Sequence, residues 1–245
     1  MCNKTLFITV CFSNKRMIME EKILFVVTSV GRMGNTEMDT GYYLSEAAYP
    51  WKVLHDSYDI DFVSPEGGKA PVEGFDLNDS TNKEVWENEE FYNKVMNTMV
   101  PNEVHPEDYK GIFFVGGHGT MWDFPKSTEI MDIAVKIYEN GGIIGAVCHG
   151  PAIFYNMRLN DGNYLIDGLK ITAFTNEEET HMNLETTVPF LLESALISRG
   201  AIFEKDDIFK EKVVIDKRII TGQNPASAKK TGEKMLELLN EINED

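Results

Sequence analysis

Short apolar runs alternate along this chain with longer segments that carry one apolar face. Residues 23–28 form a continuous apolar stretch of the kind buried on both faces of a parallel sheet. Residues 58–63, 111–115 and 143–147 repeat that pattern, and 169–174, 202–204, 213–216 and 218–221 predict shorter strands. Between them the spacing predicts a helix over 40–56 interrupted near Pro50, and another over about 82–100 with Trp86, Phe91, Tyr92, Val95 and Met96 as its apolar positions. Further helices are expected over 127–139, closed by Gly141, and near 187–199 and 226–243. Repeated strand–helix units imply an α/β fold, a doubly wound and mostly parallel sheet with helices on both faces. Residues 69–110 are polar, acidic and too long for a simple connection, so a helical cap or lid over a site is expected there. Nothing resembles a repeat or a linker, and 17–245 reads as one domain.

Composition narrows the partners. At 245 residues and 42% hydrophobic content, the chain can bury one full core without division. Lys and Arg total 23 against 40 Asp and Glu, a formal charge of −17. Such a surface repels phosphate backbones and anionic headgroups, so neither nucleic acid nor membrane is expected as a partner. The three cysteines, Cys2, Cys11 and Cys148, have neither metal-type spacing nor a disulfide framework, which suits a reducing, cytoplasmic setting. The apolar residues 5–12 are flanked by Lys4, Lys15 and Arg16, but they are short for a secretory signal and lack its cleavage site. Met17 and Met19 stand just before the globular pattern, so 1–16 reads as an extension outside the fold, with no chemistry at Cys2 or Cys11.

The chemistry concentrates where the 143–147 strand meets Cys148, His149, Gly150 and Pro151. A strand that turns at once into a helix projects the turn residue into a cleft, as a nucleophile elbow does. Gly145, Ala146 and Gly150 leave room for the turn, and Pro151 suits a first helical position. At a helix N-terminus the thiol is expected to ionise below the ~8.5 of free cysteine. His149 stands beside it as a proton carrier. The alternative is a small buried cysteine without function.

Sites in open α/β sheets form beyond the carboxyl ends of strands, which selects four further places. Gly116, Gly117, His118 and Gly119 follow the third strand, where backbone N–H groups can approach a reacting atom and pair with that of His149 as an oxyanion hole. Glu177, Glu178 and Glu179 follow Phe174, and a carboxylate there could orient His149, or all three could be solvated residues of a helix start. Glu46 lies on a helix among Tyr42, Tyr43, Leu44, Ala47 and Tyr49, either turned outward or held in apolar company with a raised proton affinity. Gln223 to Ser227 most simply cap the last helix.

Taken in order, these motifs resemble the ThiJ/PfpI superfamily, and more narrowly its branch of glutathione-independent glyoxalases and heat-shock chaperones. The residues that carry the resemblance are Thr40, Gly41 and Glu46 with Pro50-Trp51, the run from Phe62 to Pro65, the glycine loop at 116–119, the elbow at 146–151, Phe174 to Glu179, and Thr221 to Ser227. The resemblance implies a flavodoxin-like frame of the class I glutamine amidotransferase type. It also implies Cys148 as nucleophile, His149 as its triad histidine, Glu179 as the triad carboxylate and Glu46 as the carboxyl beside the sulfur. Gly117 and His149 would supply the oxyanion amides, and Gly116 and His118 would line the substrate. The choice of Glu179 rests on an ungapped register after Phe174, with Glu177 and Glu178 then read as solvated. The metal cluster of some chaperone members has no match here, and neither metal nor cofactor is expected.

Amidotransfer needs a histidine far downstream and an ammonia acceptor, whereas after Cys148 the chain offers only His149 and His181. Peptidase chemistry leaves Glu46 without a use. The resemblance therefore implies a lyase of the D-lactate dehydratase (glyoxalase III) type that turns methylglyoxal or a related 2-oxoaldehyde into D-lactate during carbonyl stress. A deglycase or a stress chaperone of the same family is the alternative, with a cysteine peptidase after them, and a homodimer is left open.

Overall fold

The computed structural model describes residues 21–244, so the extension, Cys2, Cys11, Met17 and Met19 lie outside the described residues. In chain order the strands are β1 (Lys22–Val26), β2 (Tyr42–Tyr43), β3 (Asp59–Val63), β4 (Val72–Glu73), β5 (Tyr109–Phe114), β6 (Ile143–Val147), β7 (Lys170–Ile171), β8 (Ile202–Phe203), β9 (Val213–Asp216) and β10 (Ile219–Gly222). The α-helices are α1 (Leu44–Leu54), α2 (Ser80–Trp86), α3 (Glu89–Met96), α4 (Thr120–Asp123), α5 (Thr128–Glu139), α6 (Asn176–His181), α7 (Leu192–Ile197) and α8 (Ala228–Glu244).

The main sheet has the order β3-β1-β5-β6-β10-β9, with every pairing parallel except the antiparallel β9 edge. Successive side chains in a strand point to opposite faces. Leu24, Val26, Ile112, Phe114 and Ile144 accordingly join the layer that contains α5, while Ile23, Phe25, Val27, Phe113 and Ile143 join the layer of α1, α3 and α8. Burial on both faces is why these strands read as unbroken apolar runs. Phe25 and Phe113 stack at 5.0 Å between ring centroids, and each fully buried ring of this kind contributes roughly 1.5–3 kcal/mol. Among the described residues, no helix is long and apolar enough to cross a membrane.

Four elements differ from expectation. The helix expected over 40–56 begins only at Leu44, because Tyr42 and Tyr43 pair with Val72 and Glu73 as β2 and β4. It then runs through Pro50 without interruption, with Pro50 lying against Gly232 of α8. The helix expected over 82–100 is two helices, since the Asn88 side chain accepts from the N–H groups of Glu90 and Phe91 and starts α3 afresh. In the 187–199 stretch α7 waits until Leu192, past Pro189, which disfavours helical geometry at Val188. In the 169–174 run only Lys170–Ile171 is strand, and it pairs with β8 outside the main sheet.

Within the 69–110 segment, α2 packs on α1 and α3 on β3, with Val85, Phe91 and Val95 entering the α1 layer. β4, by contrast, brings Glu73 to the carboxyl ends of the central strands, beside the Gly116–Gly119 loop.

Candidate active site

Cys148 follows β6 with a φ of 57°, a left-handed conformation that costs a non-glycine residue about 1–3 kcal/mol and persists only where its surroundings enforce it. Its N–H donates to the Gly222 carbonyl at 2.9 Å and its carbonyl accepts from the Phe174 N–H at 2.9 Å, so β10 and the segment before α6 hold the turn from both sides. Gly150 is required there, because a Cβ would collide with the Phe114 carbonyl. The chain continues as a six-residue 3-10 helix, Gly150–Tyr155, rather than as an α-helix.

The sulfur meets two groups. His149 Nδ1 lies 3.3 Å from Sγ, and His149 Nε2 lies 2.8 Å from Glu179 Oε2. Hydrogen bonds to His118 and His149 outweigh burial and hold the Glu179 carboxyl down at about 2, so it is ionised and accepts only. Nε2 therefore carries the imidazole proton and Nδ1 is left as an acceptor facing the sulfur. Burial first, and then the nearby His118 charge, hold His149 below the ordinary histidine range, so it rests neutral. Phe174 lies over its ring at 4.4 Å between centroids.

Glu46 of α1 is the second neighbour. It is wholly buried, neither carboxyl oxygen makes a well-formed hydrogen bond, and the sulfur and the Gly116 N–H are its polar neighbours. A Cβ at Gly116 would strike Glu46 Oε2 and crowd the His149 N–H, so glycine is needed to seat the carboxyl. Burial pushes both Glu46 and Cys148 well up, and the Glu46 charge raises the thiol further. The expected thiol below the free-cysteine value is overturned, because burial opposes the thiolate and the short 3-10 turn supplies little of the dipole that a longer helix would. An isolated carboxyl ionises far below an isolated thiol, so of this pair Glu46 gives up its proton first, and the S–H is left facing His149 Nδ1.

The three glutamates of α6 separate cleanly. Glu179 joins His149, while Glu177 lies at the surface beside Lys205. The expectation that Glu178 is solvated is overturned: it is wholly buried. Its Oε2 accepts from the N–H and hydroxyl of Thr175, and its Oε1 accepts from the Phe209 N–H, Gln223 Nε2 and Asn224 Nδ2. Gln223 and Asn224, read as helix caps, thus spend their amide donors on Glu178, although Asn224 also precedes the short 3-10 turn Pro225–Ser227.

His118 was expected to line the substrate, yet both ring nitrogens face carboxylates: Nδ1 is 2.9 Å from Glu73 Oε1 and Nε2 is 3.2 Å from Glu179 Oε1. Burial would lower it, but those two carboxylates hold it up at about 9, so it is an imidazolium. Neither nitrogen is left for a substrate. Glu73 was missed by sequence reasoning, being one acid among many in an acidic stretch. Ligand atoms of His118, His149 and Glu179 lie within 4.8 Å of one another, the one such grouping among the described residues. A metal there would have to displace the protons that now join them.

A family model described as the DJ-1/PfpI family matches residues 38–238. The chain is 32% identical to a glutathione-independent glyoxalase of Saccharomyces cerevisiae over 236 residues, which is 89% of this chain and 98% of that one. It is 33% identical to glyoxalase 3 of Candida albicans, covering 88% and 97%. Among solved structures, glyoxalase III of Candida albicans superposes with a TM-score of 0.82 at 30% identity, covering 89% of this chain and 97% of that chain. The rapid encystment protein of 24 kDa from Francisella tularensis superposes at 0.86 with 35% identity, covering 89% and 99%.

Proposed function

Because the chain belongs to the DJ-1/PfpI family, we propose that it is a glutathione-independent glyoxalase, a lyase of the D-lactate-forming type acting on methylglyoxal and related 2-oxoaldehydes. The observation that carries the reading is the pair of groups on the sulfur: a neutral imidazole nitrogen at 3.3 Å on one side and the unpartnered Glu46 carboxyl on the other. Acyl transfer uses the first and has no need of the second, whereas moving a proton between adjacent carbons needs both.

Sγ adds to the aldehyde carbon as its proton passes to His149 Nδ1, and Glu179 stabilises the imidazolium that forms. The new oxyanion is met by the N–H groups of Gly117 and His149, and a proton taken from solvent gives a hemithioacetal while His149 keeps the thiol's proton. The Glu46 carboxylate removes the hydrogen from that carbon while His149 protonates the neighbouring carbonyl oxygen, which gives an enediol. Glu46 returns its proton to the second carbon, the enediol hydroxyl on the first gives its proton to His149, and a lactoyl thioester results. Water then cleaves the thioester, releasing lactate and the thiol. Oxidation of the first carbon balances reduction of the second, so no external reductant is consumed. Burial matters here, since a carboxyl with raised proton affinity is a stronger base than one in water.

The test is D-lactate formation from methylglyoxal by EDTA-treated protein without added thiol. Wild type is expected to turn over and Cys148→Ala to give none. Equal rates from the two proteins would refute the reading.

A further inference from the structure

The five side chains Glu73, His118, Glu179, His149 and Cys148 form one unbroken chain of contacts at 2.9, 3.2, 2.8 and 3.3 Å. The proposed chemistry uses only the last three, which leaves a buried ion pair behind Glu179 without a task. Glu73 does more than face the His118 ring. Its Oε2 accepts from the His118 backbone N–H at 3.0 Å and from the Thr40 hydroxyl at 2.7 Å. One carboxylate therefore grips both the backbone and the ring of a residue in the glycine loop. That loop also carries Gly117, at a φ of 106°.

We propose that Glu73 and His118 are positioning residues: Glu73 clamps the glycine loop, and His118, anchored on Glu73, fixes Glu179 so that its other oxygen orients His149 with Nδ1 toward the sulfur. The inference rests on the triad reading of the site, but it concerns how the triad is held.

The geometry explains why two carboxylates are needed. With one carboxylate partner a buried imidazolium would leave one N–H donor unsatisfied; with one on each ring nitrogen both donors are satisfied. The groups around His118 are Glu73 from β4, Glu179 from α6, and His149 with Cys148 from the elbow, while Glu46 from α1 acts on it across a longer distance. Its positive charge is the neighbouring influence, after burial itself, that keeps His149 neutral and able to accept a proton. A neutral His118 would still donate one hydrogen bond to Glu179, but it would no longer oppose protonation of His149.

The experiment combines histidine ring NMR with alkylation of Cys148 by iodoacetamide, which does not require methylglyoxal to be the substrate. In wild type at pH 8, one histidine is expected as an imidazolium and His149 as the neutral Nε2–H form. Glu73→Gln, near in shape but neutral, should remove the imidazolium signal and slow both alkylation and kcat about tenfold with little change in KM. Glu73→Asp keeps the charge and should restore the signal and most of the rate. Glu73→Gln protein with the wild-type histidine signals overturns the proposal, because His118 is then not anchored on Glu73. So does Glu73→Gln protein that loses the imidazolium yet alkylates at the wild-type rate. If wild type makes no D-lactate but the NMR and alkylation results hold, the glyoxalase reading fails and the positioning pair stands.

Discussion

Replacing Glu178 tests the division of labour within α6, because a wholly buried carboxylate there takes five donors and none of them belongs to the proposed chemistry. Glu178→Gln keeps the shape but turns one oxygen into an NH2 group. Whichever way the amide lies, it confronts either the Thr175 N–H and hydroxyl or the three donors from Phe209, Gln223 and Asn224. At least two buried donors then lose their acceptor, at about 1–3 kcal/mol each. The side facing Oε1 also holds Phe209 at a φ of 57°, a strain that its hydrogen bond at 2.8 Å helps to secure. A loss of roughly 3 kcal/mol is expected, which for a chain of this size lowers Tm by about 6–12 °C. Urea unfolding of wild type, Glu178→Gln and Glu177→Gln would measure it, with Glu177→Gln near wild type because its partner Lys205 is at the surface. Below the melting range, Cys148 in Glu178→Gln should still alkylate. A loss under about 0.5 kcal/mol would refute the accounting of buried donors.

Other outcomes follow from the same contacts. Glu179→Gln should keep partial turnover with an altered pH profile, read from rates between about pH 5 and 9; unchanged turnover and profile would remove Glu179 from the triad. Gly116→Ala drives a Cβ into Glu46, so D-lactate formation should fall at least about 100-fold while Cys148 still alkylates; near-normal turnover would mean that the seat of Glu46 is unimportant. His118, held up at about 9, adds stability that is complete below the ~6.5 of an unfolded imidazole and is lost as pH rises through about 9. Glu179, held down at about 2, adds stability present above ~4.3 and lost as pH falls through about 2. The stability gap between wild type and His118→Gln should therefore be widest near pH 5.5 and narrow toward pH 9. A gap that does not vary with pH would contradict the ion pairs.

The frame was legible because parallel strands buried on both faces leave unbroken apolar runs, and the elbow because a thiol between a strand and Gly150-Pro151 has few other uses. Glu179 was reached only by register. Thr175 and Glu178 form a capping box, the T-x-x-E pattern that turns the second residue back on the first and leaves the next one free for the site. That signal was present in the sequence and would have marked Glu178 as structural. Glu73 carried no such signal. It enters through a two-residue pairing of Tyr43 with Glu73, too short to leave any periodicity, and nothing local distinguishes it from the acids around it. The thiol was misjudged because a strand–helix outline suggests a dipole, whereas its ionisation is governed by burial and by a carboxylate brought from α1.

The central claim is that Glu46 carries a proton between two carbons of a substrate bound to Cys148. Turnover of methylglyoxal in deuterium oxide tests it most directly, with the lactate examined by NMR in wild type, Glu46→Gln and Cys148→Ala. The account predicts little product from Glu46→Gln although Cys148 still alkylates, none from Cys148→Ala, and in the wild-type product deuterium at the second carbon to the extent that the proton on Glu46 exchanges with solvent before it is returned. Lactate without deuterium at that carbon, formed equally well by Glu46→Gln, would mean a direct hydride shift and would contradict the account.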